Sequence, residues 1–345
     1  MKVLLGLLAA ASALLTVGAS LADPATDKAP LRLVTKIALP GIDGDFDHFT
    51  ADVKGNRLFL AGEENHTVEV FDLHSGKKLH SITGFDTPHS MVLVPESNRL
   101  FVVDGGKGGS VQILDATSYA VQNSIKLSED ADALVYDRDG HLLYVGNGGK
   151  EAGHDYSFVT VIDTGKGEKV GEIKIPSANL EAMALQKRDS LLYVNIRDKN
   201  QIGVIDRKTN AIVATWQLSK VLHNTPMVLD EPNHRLLIAG RKPGVFGVVA
   251  TDSGKEIATL PAADGVDDMS FDPATKMIYL ACADGIVNIF RQVDADHYEA
   301  AGSVATGYRG KIGILVPELH RYYVVSSKKG AVPAQLFIFD VVKQP

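Results

Sequence analysis

Seven polar residues recur along the chain at steps of 42 to 49 residues: Asp47, His89, Asp132, Glu181, Thr225, Asp267 and Lys311. Five of them, Asp47, His89, Asp132, Glu181 and Asp267, are of metal-ligating type. A carboxylate-rich set suits Ca²⁺, Mg²⁺ or Mn²⁺, and the histidine admits Zn²⁺. A divalent metal held there would polarise a carbonyl or activate a water. His48 or Asp268, each following a member of the set, would then be the general base of a lactonase-like hydrolase. Without a metal, the same residues together with Arg197, Arg241 and Lys311 would orient a small molecule, a peptide or a protein partner. A third reading takes the polarity as that of a wet channel with no specific ligand.

No linear motif decides between these readings. The chain has no Gly-x-Ser-x-Gly, no His-Glu-x-x-His and no Gly-x-x-x-x-Gly-Lys. Gly105-Gly106-Lys107-Gly108-Gly109 joins two strand-like runs instead of opening a helix, so it is a poor phosphate cradle. Chemistry built from residues this far apart needs elements that return each of them to one place.

Those elements are repeats. A short apolar run, usually with an aromatic, occurs as Leu58-Phe59-Leu60, Leu100-Phe101-Val102, Leu143-Tyr144-Val145, Leu192-Tyr193-Val194, Leu237-Ile238-Ala239, Ile278-Tyr279-Leu280 and Tyr322-Tyr323-Val324. A second marker follows in step, an apolar pair that ends in Asp72, Asp115, Asp163, Asp206 or Asp340, with Ala250 and Arg291 in two copies. Runs rich in Val, Ile, Phe and Tyr, divided by Gly, Asn, Asp and Pro, read as strands joined by hairpins. Four strands in ~40–45 residues is the signature of a propeller blade.

The spacing therefore predicts an all-β, seven-bladed β-propeller of four-stranded antiparallel blades. The repeats begin near residues 46, 86, 128, 176, 219, 261 and 305. The last repeat lacks a fourth strand, and the run 31–39 precedes the first repeat, so pairing the two closes the ring and removes two free edges. The inner strands align on Asp52, Val94, Asp137, Gln186, Asp230, Asp272 and Val316, and the seven polar residues stand five positions before these. Glu63, Glu64, His66, Lys107, Lys242 and Lys328 fall in loops on the same face. So does the longest such loop, 147–156, which carries His154 and Tyr156 and is expected either to cover part of the channel mouth or to be a Gly-rich tip. The recurring Asp is read as a turn residue that accepts a backbone N–H. The aromatic markers are read as packing between blades.

Met1-Lys2, an apolar run from Val3 to Val17 and small residues ending at Ala22 form a secretory signal peptide pattern over 1–22. The expectation is a single propeller domain over 23–345, periplasmic or secreted, monomeric, with no membrane span in the mature chain. Loss of Lys2 takes the formal charge from −7 to −8, a balance unsuited to nucleic acid. The single cysteine, Cys282, excludes an internal disulfide and reads as a buried, inert thiol.

Tyr144-Val145-Gly146-Asn147 and Tyr193-Val194-Asn195, with the Asp-x-x-Ser/Thr-Gly-Lys turn, resemble the Tyr-Val-Thr-Asn motif. On these the chain resembles the YVTN-repeat propellers and is similar to YncE-type periplasmic proteins over about residues 31–342. The resemblance implies the propeller and an exported binding or scaffolding role, and it carries over no functional residue. Relatives that bind haem or copper do so with elements this chain lacks. It has no Cys-x-x-Cys-His, so no covalent haem is expected. The absence of Trp-Asp pairs and the single Trp216 set it apart from WD-repeat proteins and from Trp-rich quinone-dependent propellers.

Overall fold

The computed structural model describes residues 30–342. The signal-peptide pattern lies outside them. Alternation of apolar and polar residues, broken every few positions by a turn, leaves β-structure as the way to bury the apolar half. The described residues form seven four-stranded antiparallel sheets. In six, the strands lie side by side in chain order. The seventh is built from Ile312–Val316, Arg321–Ser326, Ala334–Val341 and, from the other end of the chain, Leu31–Leu39. Leu31 pairs with Val341 and Leu39 with Ala334, so the ring closes as its ends predict.

The seam is fixed by more than the ladder. The Tyr323 hydroxyl donates to the Leu73 carbonyl at 2.6 Å and Arg321 Nη1 to that of His74 at 2.6 Å, tying the last blade to the first. Among the described residues no helix is long and apolar enough to cross a membrane.

The core lies between blades. Phe59, Phe101, Tyr144, Tyr193, Ile238, Tyr279 and Tyr323 are all buried. Phe59 packs in one cluster with Leu100 and Val102 of the next blade, and Tyr144 with Leu192 and Val194. Each such side chain contributes about 1.5–3 kcal/mol by leaving water.

Turn chemistry repeats as faithfully. The residue entering each second strand, Asn56, Asn98, His141, Ser190, His234, Lys276 or His320, is left-handed, with φ between 50° and 59°. The recurring aspartates accept backbone N–H groups from the turns they begin: Asp72 from Ser75 at 2.7 Å, Asp115 from Ser118 at 2.7 Å, Asp163 from Lys166 at 3.0 Å and Asp206 from Lys208 at 2.8 Å.

A feature with no signature in the sequence appears on the rim. Every outermost strand carries one unpaired extra residue: Val34, Leu79, Gln122, Val170, Val213, Ile257 and Ala301. A bulge of this kind twists an edge away from straight pairing, which protects seven otherwise exposed edges from joining another sheet.

Candidate functional site

The inner strands are Phe49–Asp52, Pro88–Val94, Leu134–Asp137, Leu180–Gln186, Asn224–Asp230, Val266–Asp272 and Ile312–Val316. Their ends coincide with the seven residues on which the sequence aligns them. Just before the regular pairing, the ladder is interrupted. His89-Ser90, Glu181-Ala182 and Thr225-Pro226 each oppose a single residue of the neighbouring strand, and Asp267 is an extra residue between Val266 and Asp268. Asp47-His48 share Ala61, and Asp132-Ala133 share Gly146, in the same way. Bulges re-aim side chains, and here they sit at the recurring polar residue in six blades.

All seven residues line one cavity of about 320 Å³ on the propeller axis, together with His48, Arg197, Arg241 and Glu63. Asp268 does not line it but stands directly behind, accepting from His48 Nδ1 at 2.7 Å and from the Gly313 N–H at 3.1 Å.

The charges inside are largely matched in pairs. His89 Nδ1 donates to Asp47 Oδ2 at 2.6 Å, and His48 Nε2 stands 3.4 Å from Asp47 Oδ1. Arg197 Nη1 donates to Glu181 at 2.7 Å and Arg241 Nη1 meets Asp267 at 2.8 Å. Lys311 bonds the other oxygen of Asp267 and stands 3.4 Å from Asp45. Arg309 and Ser327 also hold Asp45.

These pairs set the protonation states. Burial disfavours the imidazolium of His48, but Asp47 and Asp268 outweigh it and hold the ring charged, well above the usual histidine range. Burial also opposes His89, yet Asp132 and Asp47 push it up to about 10. Asp47 resists its own burial through His48, His89 and Lys311 and stays far below the usual carboxylate range. Other carboxyls go the opposite way. Burial, with Asp132 nearby, raises Glu181 to about 8 against the pull of Arg197. Burial and Asp47 raise Glu63 to about 7, and burial and Asp132 raise Asp130 to about 7. Asp132 is raised by burial, which outweighs His89. Its Oδ1 is shut off from solvent with no hydrogen-bond partner, and the nearest cation is His89 Nδ1 at 3.9 Å.

Four polar lining residues were not among the sequence candidates: Asp45, Asp130, Asn179 and Arg309. Each lies two positions before a ring member. They belong to the loops that enter the inner strands, where Asp130 and Arg309 are left-handed with φ of 61° and 52°, so strand alternation does not place them; their constant offset from the aligned ring is the signal that could have found them.

The loop candidates divide. Glu64 turns back to accept the Asp45 N–H at 3.1 Å, His66 bonds the Asp86 carbonyl and Lys328 pairs with Asp43 at 2.6 Å. Lys107 and Lys242 line side crevices next to the cavity. The loop 147–156 does not lay its aromatic residues over the mouth. Tyr156 is stacked between His154, 4.7 Å from centroid to centroid, and the ammonium of Lys174 on the outermost strand at 3.5 Å. The aromatic–cation contact turns that part of the loop outward, and Glu151 is the loop residue that reaches a crevice beside the cavity.

No protein-family model matches the sequence. Over 207 residues the chain is 20% identical to autophagy-related protein 16 of Arabidopsis thaliana, a match that takes in 59% of this chain and 39% of that protein. The chain thus spans about two fifths of the length of that relative. Among solved structures it resembles a chain of hydrazine synthase from Kuenenia stuttgartiensis, with TM-score 0.71, 18% identity, and coverage of 85% of this chain and 99% of that one. It also resembles a chain in the crystal structure of a mitotic checkpoint complex, with TM-score 0.74, 17% identity and 99% of both chains covered. At these identities the likeness establishes the seven-bladed propeller and nothing finer.

Proposed function

We propose that the chain is an exported, YncE-like propeller of the YVTN-repeat kind. It works as a monomer in the periplasm or outside the cell, and it binds a small molecule, peptide or protein partner at the channel mouth. The observation that carries this reading is the cavity of about 320 Å³ into which seven blades each send a polar side chain. Ion pairs fix Asp47, His89, Glu181, Asp267 and Lys311 before any ligand arrives, which lowers the ordering cost of binding. The pattern of residues 1–22 supports export, and 23–345 is the single mature domain.

The test is a thermal-shift and native mass-spectrometry screen of charged metabolites and peptides against the mature protein and against Asn179→Trp. Asn179 lines the cavity, and its backbone, not its amide side chain, makes its hydrogen bonds. The indole should block the mouth without unfolding the ring. Ligands that bind both proteins equally would refute the channel-mouth reading.

A metal-dependent hydrolase is the second reading, favoured by one observation: atoms of Asp47, His89 and Asp132 lie within 4.8 Å of one another. The fit is incomplete. Two ligands of one ion at ~2.0–2.2 Å sit roughly 3 Å or more apart, whereas His89 Nδ1 and Asp47 Oδ2 are in direct contact at 2.6 Å. His48 has carboxylates at both ring nitrogens, so it is held protonated and has no lone pair to act as the base. Metal analysis of the mature protein and of Asp132→Ala separates the two readings. Near-stoichiometric metal that the substitution removes would move the hydrolase reading ahead.

A further inference from the structure

The axial cavity does not end at its ring. It continues into two crevices on opposite sides of the mouth, and they have opposite charge.

On the side of blades one to three, the adjoining crevice is lined by Glu63, Asp86, Glu129, Asp130 and Glu151, with Lys107 and His89 as its cations. It shares Glu63, His89 and Asp130 with the cavity. His89 is already bound to Asp47. The Asp86 carboxylate accepts the Lys107 N–H at 2.7 Å. Among the described residues, Glu63, Asp130, Glu129 and Glu151 have no ion-pair partner, and the Asp132 carboxylate beside them, exposed through its other oxygen, accepts no hydrogen bond. Carboxyls held near one another without donors gain from a cation that brings several N–H groups.

On the side of blades four to six, the other crevice is lined by Arg197, Arg241, His223 and Lys242, and by Asp264 and Asp284. It shares the two arginines with the cavity. The two acids there are engaged: Asp264 Oδ1 accepts the Gly244 N–H at 2.7 Å while its Oδ2 stands 4.0 Å from Lys242 Nζ, and Asp284 Oδ2 accepts the Asp264 N–H at 3.0 Å. The Lys242 ammonium is exposed, and so long and exposed a pair holds it only weakly. Each arginine uses one terminal nitrogen, Nη1, on Glu181 or Asp267. That leaves guanidinium donors available to a second acceptor. Fixed guanidinium forks are suited to a carboxylate.

We infer that the channel mouth is bipolar and takes a zwitterionic ligand of the amino-acid or short-peptide class. Its ammonium sits among Asp132, Asp130 and Glu63, and its carboxylate sits at Arg197, Arg241 and Lys242. The inference deepens the channel-mouth reading and rests on it. The two halves of the mouth exclude the single-charge alternatives differently. A dianion would meet the acidic side, and a diamine would meet the arginines.

Calorimetric titration with three peptides tests the inference: Ala-Ala-Ala, its N-acetyl derivative and its C-terminal amide. The free tripeptide should bind, and removal of either charge should weaken it by about tenfold or more, as expected for a charge-assisted hydrogen bond. Asp132→Asn should remove the penalty of acetylation and keep that of amidation. Lys242→Ala should reduce the penalty of amidation alone, at an unchanged unfolding midpoint. An acetylated or amidated peptide that binds as well as the free one would overturn the inference, and so would failure of all three to bind. The channel-mouth reading is judged separately. A singly charged ligand that binds the natural protein and is lost in Asn179→Trp would leave it standing while the bipolar assignment falls.

Discussion

Asp47→Asn should loosen the centre of the ring in a measurable way. Asp47 accepts from His89 at 2.6 Å and neighbours His48 at 3.4 Å, so its charge stabilises two imidazolium rings. One hydrogen bond to a charged group contributes ~1.5–3 kcal/mol, equal to roughly one to two pH units in the partner's titration. His89 at about 10 should therefore fall to roughly 8 or 9 in the variant. Asp132 at 3.9 Å keeps it above the ordinary 6.5. Since the folded pKa is the raised one, the stability His89 contributes is complete below about 6.5 and is lost as the pH rises through about 10. The variant should lose that stability at lower pH and be less stable at pH 7 by ~1.5–3 kcal/mol, counted once for the pair. Long-range proton–nitrogen correlation spectra of the histidine rings read the titration, and urea unfolding between pH 6 and 10 reads the stability. A natural protein whose His89 titrates near 6.5, or a variant whose His89 does not move, would refute the electrostatic account of the ring.

The remaining expectations concern the same site and the seams between blades. Glu63 and Asp130 are both raised to about 7, so their burial lowers stability progressively as the pH rises from the ordinary carboxylate range toward 7. Glu63→Gln should flatten that decline and raise the unfolding midpoint at pH 8; a lower midpoint there would count against it. Adjacent tyrosines should respond in opposite ways. Tyr323→Phe removes a buried bond to Leu73 and should cost ~0.5–1.5 kcal/mol in urea unfolding. Tyr322→Phe removes a buried hydroxyl that has no partner and should be neutral or stabilising. Cys282 is fully buried, and burial pushes its thiol up to about 12. It should stay unreactive to an aromatic disulfide reagent at pH 8 until the protein unfolds, and rapid labelling of the folded protein would contradict its placement.

The blade count, the ring closure by 31–39 and the seven ring positions are legible in the amino-acid order, for one physical reason. Each blade repeats the same burial problem, so strand alternation and turn chemistry recur at fixed offsets, and aligning the repeats places Asp47, His89, Asp132, Glu181, Thr225, Asp267 and Lys311 at one height of one channel. The same alignment reaches Asp45, Asp130, Asn179 and Arg309 once positions two residues before the ring are read. The chemistry of the site is not legible in this way. Linear spacing does not say that His48 of the first blade meets Asp268 of the sixth, that Arg197 and Arg241 are tied to Glu181 and Asp267, or that Asp132 is left without a donor. Nor does it show that Lys174 and His154 sandwich Tyr156 and turn it away from the mouth. Those outcomes depend on distances of a few ångströms between different blades, and Coulomb energy and desolvation change steeply over such distances. The sequence by itself determined which repeat positions arrive at the axis, because each blade repeats the same strand and turn spacing. Only the tertiary structure decided which of them neutralise one another and which stay open to a ligand, because pairing is settled between blades that are distant in the chain.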